Sequence, residues 1–139
     1  MKWIQLNSKK KNVRMIAHRG LSGLETENTN AAFVAAGNRS YFGIETDVHV
    51  TSDGKFVIIH DYNTERVSGE NYDVERTDYA TLKKLKLYDI QQGVNKSGLM
   101  RSDFVIPDLE DYISICKKME RLLCLNSKMI WEKIIFQKS

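Results

Sequence analysis

The sequence predicts an α/β fold organised around a parallel sheet, and three observations carry that reading. Short, largely apolar runs at 13–17, 41–51 and 122–125 alternate with helical patterns at 31–36 and 108–119. Such alternation is the signature of β–α units, whose parallel strands need crossovers of about a dozen residues or more. One connection is too short for that: the turn Ser52-Asp53-Gly54 leads within a few residues to the extended run 55–60, which must return antiparallel to its predecessor.

The elements follow in order. The first run, 13–17, ends in His18-Arg19-Gly20 and reads as a buried strand stopping at a glycine turn. Glu27-Asn28-Thr29 precedes the alanine-rich helix, with Asn28 or Thr29 as its cap and Gly37 or Asn38 at its end. The second strand contains Ile44-Glu45-Thr46-Asp47-Val48, and the antiparallel return carries His60 back toward Glu45 and Asp47. Residues 61–104 read as polar and irregular, with one helix around 79–87. Pro107 opens a helix whose apolar positions Leu109, Tyr112, Ile113, Cys116 and Met119 recur at helical spacing. The last short apolar run, 122–125, starts a third β–α unit. With 139 residues, there is room for about three strands of a fold that takes about 250 residues when it closes into an eightfold barrel.

Composition narrows the function classes. A 42% apolar and 28% charged chain is ordinary for a globular protein, and a net charge of +3 does not point to nucleic acid. Residues 1–20 carry six positive charges and no carboxylate, whereas residues 21–80 carry eleven carboxylates against four cations. The basic start, residues 1–12, reads as a solvated lead-in. With no apolar stretch behind Met1-Lys2 and no transmembrane segment, the expected location is cytoplasmic. Cys116 and Cys124 are too few for a disulfide framework and read as small core residues.

The chemistry concentrates at the strand ends. Glu45 and Asp47, two apart on a strand, share a face, and their hard oxygens suit Mg²⁺ or Ca²⁺. Taken alone the pair is weak evidence, since acidic residues alternating on an exposed strand are the commoner case. His18 and His60 end two extended runs and are suited to proton exchange near neutrality. Asp61 either orients the His60 imidazole or caps a turn. Arg19 offers a guanidinium fork for phosphate, or else a surface salt bridge.

The order of these motifs resembles the glycerophosphodiester phosphodiesterases. The resemblance runs from His18-Arg19-Gly20 and Glu27-Asn28-Thr29 through Ile44-Glu45-Thr46-Asp47-Val48 and Thr51-Ser52-Asp53-Gly54 to Val57-Ile58-Ile59-His60-Asp61. It continues at Thr81-Leu82-Lys83-Lys84-Leu85 and Ile106-Pro107-Asp108-Leu109-Glu110. It implies a TIM barrel, of which residues 13–128 would be the N-terminal part, with 49–106 inserted after the second strand and 129–139 a truncated tail. It also implies hydrolysis of a small-molecule glycerophosphodiester to glycerol 3-phosphate and an alcohol. By resemblance, Glu45 and Asp47 would bind the divalent metal, Mg²⁺ or Ca²⁺. His18 and His60 would be the acid/base pair, and Arg19 would hold the phosphate. The family's Glu-x-Lys strand end appears here as Asn126-Ser127-Lys128. Lys128 keeps the phosphate-facing cation, while Asn126 places a neutral amide where the third metal ligand stands. Thr26 replaces the family's proline before Glu-Asn-Thr.

Two further expectations follow. A chain of this length would lack five barrel strands, leaving an open sheet edge prone to self-association and a slow or inactive isolated chain. The alternative reading is therefore a non-catalytic remnant or accessory subunit. Within enzymes, a phospholipase-D-type lipid cyclase shares the His-Arg-Gly and Glu-x-Asp elements.

Overall fold

The structure, a computed structural model, describes residues 13–91 and 94–127. The basic lead-in, residues 92–93 and residues 128–139, Lys128 among them, lie outside the described residues.

Three parallel strands form the frame: β1 (Ile16–Ala17), β2 (Gly43–Val50) and, last in the chain, β6 (Leu122–Asn126). The central strand β2 pairs with β1 through Ile16↔Gly43 and Ala17↔Ile44, and with β6 from Gly43↔Leu122 to Asp47↔Asn126. Beyond that shared stretch β2 continues and pairs antiparallel with β3 (Phe56–Ile58), as the short turn requires. β1 is shorter than the run 13–17 suggests, because only its last two residues find backbone partners on β2.

Two helices cover the frame. In α1 (Asn30–Gly37), Thr29 is the cap, its hydroxyl accepting the Ala32 N–H. α4 (Leu109–Lys118) is amphipathic and buries Tyr112 and Cys116. Phe33 and Tyr112 meet edge to face with centroids 5.1 Å apart, joining both helices to Ala17, Ile44 and Ile58 in one core. Tyr112 also crosses the sheet: its hydroxyl donates to Ile44 O at 2.6 Å and accepts from Cys124 N at 3.0 Å. Tyr112→Phe is expected to cost about 2 kcal/mol, since it leaves buried backbone groups of β2 and β6 without their partner. A lower urea midpoint at unchanged slope would show this.

The segment after β3 departs most from the sequence expectation. It is built from α2 (Glu65–Ser68), a 3₁₀ turn at Val74–Arg76, α3 (Tyr79–Lys84) and an antiparallel pair, β4 (Leu87–Gln91) and β5 (Val94–Arg101). The helix expected over 79–87 stops at Lys84, where Leu85 turns extended and feeds β4. The hairpin escaped the sequence reading because a bulge between Tyr88 and Ile90 breaks its alternation. The segment has its own core of Val57, Val67, Val74, Leu82, Ile90, Phe104 and Ile106.

β6 carries exposed Leu122, Leu123 and Leu125, and at β1 Met15 and Ile16 are exposed as well. Cys116 is buried as expected, whereas Cys124 on β6 is only half-buried. Among the described residues no helix is long and apolar enough to cross a membrane.

Candidate active site

The site gathers at the C-terminal ends of the parallel strands, the end where such sheets bind ligands. Directly after β1 the chain turns through Arg19 (φ 55°) and Gly20 (φ 76°). A left-handed arginine costs about 1–2 kcal/mol, and its position shows what the conformation achieves. It directs the Arg19 peptide N–H onto Glu45 Oε2 at 2.9 Å. It also leaves the Arg19 carbonyl to accept from Asn28 N at 3.0 Å. Asn28 is itself left-handed (φ 52°), so the two turns brace each other.

Glu45 and Asp47 are not an exposed stripe, for their side chains are only 18% and 6% exposed. Asp47 Oδ2 accepts from Asn28 Nδ2 at 3.1 Å and lies 3.5 Å from Arg19 Nε, and Asp47 Oδ1 accepts from Asn126 Nδ2 at 3.0 Å across the β2–β6 pair. Asn28 thus serves the site and not the helix cap; its amide oxygen accepts the Thr46 hydroxyl at 2.8 Å. His18 is largely exposed, with Nε2 4.0 Å from Glu45 Oε2.

The Arg19 side chain, 17% exposed, reaches Glu27 Oε1 at 3.2 Å, which excludes the simple surface salt bridge. Glu27 Oε1 is shared with Arg66 Nη2 at 2.6 Å. Arg66 in turn clasps Asp61, with Nε 2.7 Å from Oδ2 and Nη2 3.2 Å from Oδ1. Asp61 Oδ1 accepts from His60 Nδ1 at 2.7 Å, which resolves the open alternative in favour of orienting the imidazole. A carboxylate only accepts, so Nδ1 carries a proton and Nε2 is the ring nitrogen left to face a reacting group. His18, Arg19, Glu45, Asp47 and Asn126 are joined by direct contacts, and His60 is joined to them through Asp61, Arg66 and Glu27.

The electrostatics fit a divalent cation. Four carboxylates (Glu27, Glu45, Asp47, Asp61) face two guanidiniums (Arg19, Arg66), a surplus of two negative charges before the histidines are counted. Burial first, and then the charge of Asp47, pushes the Glu45 carboxyl above its ordinary value against the opposing Arg19 N–H. A cation between the two carboxylates would relieve that repulsion. Among the described residues no three His, Cys, Asp or Glu side chains form a ready metal cage. The donors present are therefore two carboxylates and the Asn126 amide. Asp61 is held below its ordinary value, because burial is outweighed by hydrogen bonds from Arg66 and His60.

Comparison with known proteins identifies the family. The family model described as the glycerophosphoryl diester phosphodiesterase family matches residues 18–139, starting at His18. The chain belongs to that family. A phosphodiesterase of Oleispira antarctica, solved in complex with the product sn-glycerol-3-phosphate, superposes on this phosphodiesterase-family chain with a TM-score of 0.68 at 30% identity. The match covers 84% of this chain and 44% of that one. A glycerophosphodiester phosphodiesterase of Caldanaerobacter subterraneus is 42% identical over 71 residues, 51% of this chain and 29% of the relative. Lysophospholipase D of Rattus norvegicus is 41% identical over 69 residues, 50% of this chain and 22% of the relative. The chain thus spans less than half the length of each of these proteins. The family's α/β architecture with a parallel sheet is the one seen here.

The sequence pointed to Glu27 only as part of a motif and to Asn28 as a motif residue and candidate cap, and it missed Arg66. Arg66 sits in a four-residue helix of a polar segment, and its one signal is standing five positions after Asp61.

Proposed function

We propose that this chain provides the phosphate-handling and acid/base residues for hydrolysis of glycerophosphodiesters to glycerol 3-phosphate and an alcohol. Its strands β1, β2 and β6 correspond in this reading to the first three of a TIM barrel, with 49–106 inserted after the second. The observation that carries it is the convergence, at one end of three parallel strands, of Glu45 on the Arg19 N–H and Asp47 on Asn126.

Glu45, Asp47 and the Asn126 amide would hold Mg²⁺ or Ca²⁺, which supplies charge neutralisation at the phosphoryl oxygens. Arg19 binds the phosphate: its Nε is buried without a hydrogen bond and so has a donor to offer an incoming oxygen. By resemblance to the family, Lys128, outside the described residues, would supply a second cation for the phosphate. His60, oriented by Asp61, takes on Nε2 a proton of the attacking water as its oxygen bonds to phosphorus and the bond from phosphorus to the alcohol oxygen breaks. His18, beside Glu45 and open to solvent, returns a proton to the leaving alkoxide.

The test is release of glycerol 3-phosphate from glycerophosphocholine by the purified chain, with Mg²⁺ or Ca²⁺ and with a chelator. Metal-dependent release supports the reading. Absence of release together with absence of glycerol 3-phosphate binding counts against it. Metal binding is read separately: either ion should raise the melting temperature, and Asn126→Glu should tighten binding about tenfold by adding a charged ligand. A calorimetric titration unchanged by that substitution would place Asn126 outside the metal site.

A further inference from the structure

We infer that Arg66 is a positioning residue that sets both working ends of this site, the Arg19 guanidinium through Glu27 and the His60 imidazole through Asp61. The inference rests on the function proposed above and assigns a role within it to the segment inserted after β2.

The geometry is that of one guanidinium shared by two carboxylates. Arg66 Nη2 reaches Glu27 Oε1 at 2.6 Å and Asp61 Oδ1 at 3.2 Å, while Nε takes Asp61 Oδ2 at 2.7 Å. Each carboxylate then serves a second group: Glu27 the Arg19 Nη1 at 3.2 Å, and Asp61 the His60 Nδ1 at 2.7 Å. Glu27 is almost fully buried, so its place is set by its partners and not by solvent. A lysine keeps the charge of Arg66 but lacks the planar fork that serves two carboxylates at once.

Two consequences follow. Because Glu27 divides its charge between two guanidiniums, less of it falls on Arg19, whose Nε also faces Asp47 at 3.5 Å, and Arg19 keeps more attraction for a phosphate than it would with Glu27 to itself. Because Asp61 is countered by Arg66, less of its negative charge acts on the His60 ring. Among the described residues Glu27 lines the same pocket as His60, and behind its backbone His49 Nε2 lies 3.4 Å from the His60 carbonyl, with Glu75 3.3 Å from the far side of that ring. His49 and Glu75 make no printed contact with Arg66, whereas Glu27 loses one of its two guanidinium partners when Arg66 is replaced.

The experiment compares Arg66→Gln, Arg66→Lys and the control Arg101→Gln in the full chain. Arg101 forms an exposed pair with Asp103 away from the site. Imidazole NMR follows the His60 titration, and calorimetry follows sn-glycerol 3-phosphate binding. Arg66→Gln should raise the His60 titration midpoint by about half a unit or more and weaken binding about tenfold. Arg66→Lys should leave the midpoint near its original value yet still weaken binding, and the control should change neither. Unchanged midpoint and binding in Arg66→Gln would overturn the inference, as would equal midpoint shifts in the Gln and Lys variants. Loss of the folded circular-dichroism spectrum in both would make Arg66 a structural residue and overturn it too. If the parent chain neither binds glycerol 3-phosphate nor hydrolyses a diester, the proposed function fails. The His60 titration then still decides whether Arg66 acts on that ring.

Discussion

His18→Ala and His60→Ala are each expected to lower metal-dependent release of glycerol 3-phosphate by about 10²–10⁴-fold, the contribution of a positioned acid or base. The substitutions should act on chemistry and not on folding. The His18 side chain is 69% exposed, so truncating it removes little packing. His60→Ala leaves the Arg66–Asp61 and Arg66–Glu27 pairs in place. Melting temperatures close to that of the parent, measured beside initial rates, would separate the two effects. Full activity in either variant would remove that histidine from the mechanism.

Gly20→Ala is expected to destabilise the protein by about 3 kcal/mol, because backbone strain and overpacking add at one position. Gly20 has φ 76°, where a side chain is strained, and a Cβ there would stand 2.7 Å from both the carbonyl carbon and the Cβ of Ala32. Those atoms belong to α1, whose first turn is held by the Thr29 cap and by Leu21 N donating to Ala32 O at 3.0 Å. Either the helix moves out or the turn moves back, and the second carries Arg19 off Glu45. Urea denaturation should show the loss of stability, and weaker glycerol 3-phosphate binding should accompany it. A stability within about 0.5 kcal/mol of the parent would mean that the turn relaxes freely.

What was legible in the sequence is what local rules govern. The Thr29 cap, the apolar face of α4 and the return after Ser52-Asp53-Gly54 depend on neighbours a few residues away, and they appear where the pattern places them. The β4–β5 hairpin did not show, because its bulge destroys the period by which a strand is recognised. The choice between Asn28 and Thr29 as the cap stayed open for a different reason. As a candidate cap Asn28 competes with Thr29 locally, and only the arrival of β2 offers its amide Thr46 and Asp47.

The sequence by itself determined the α/β order, the parallel frame and the residue types at the strand ends, since periodicity, turn chemistry and motif order are written along the chain. Only the tertiary structure decided that Glu45 and Asp47 are sheltered, that Asn126 lies against Asp47, and that Asp61 aims His60 while Arg66 ties it to Arg19 through Glu27. Those contacts join residues up to 79 positions apart. A charged side chain's partner is set by which strand ends and loops the packed sheet brings within a few ångströms, where Coulomb energies become large, and no local pattern encodes that distance.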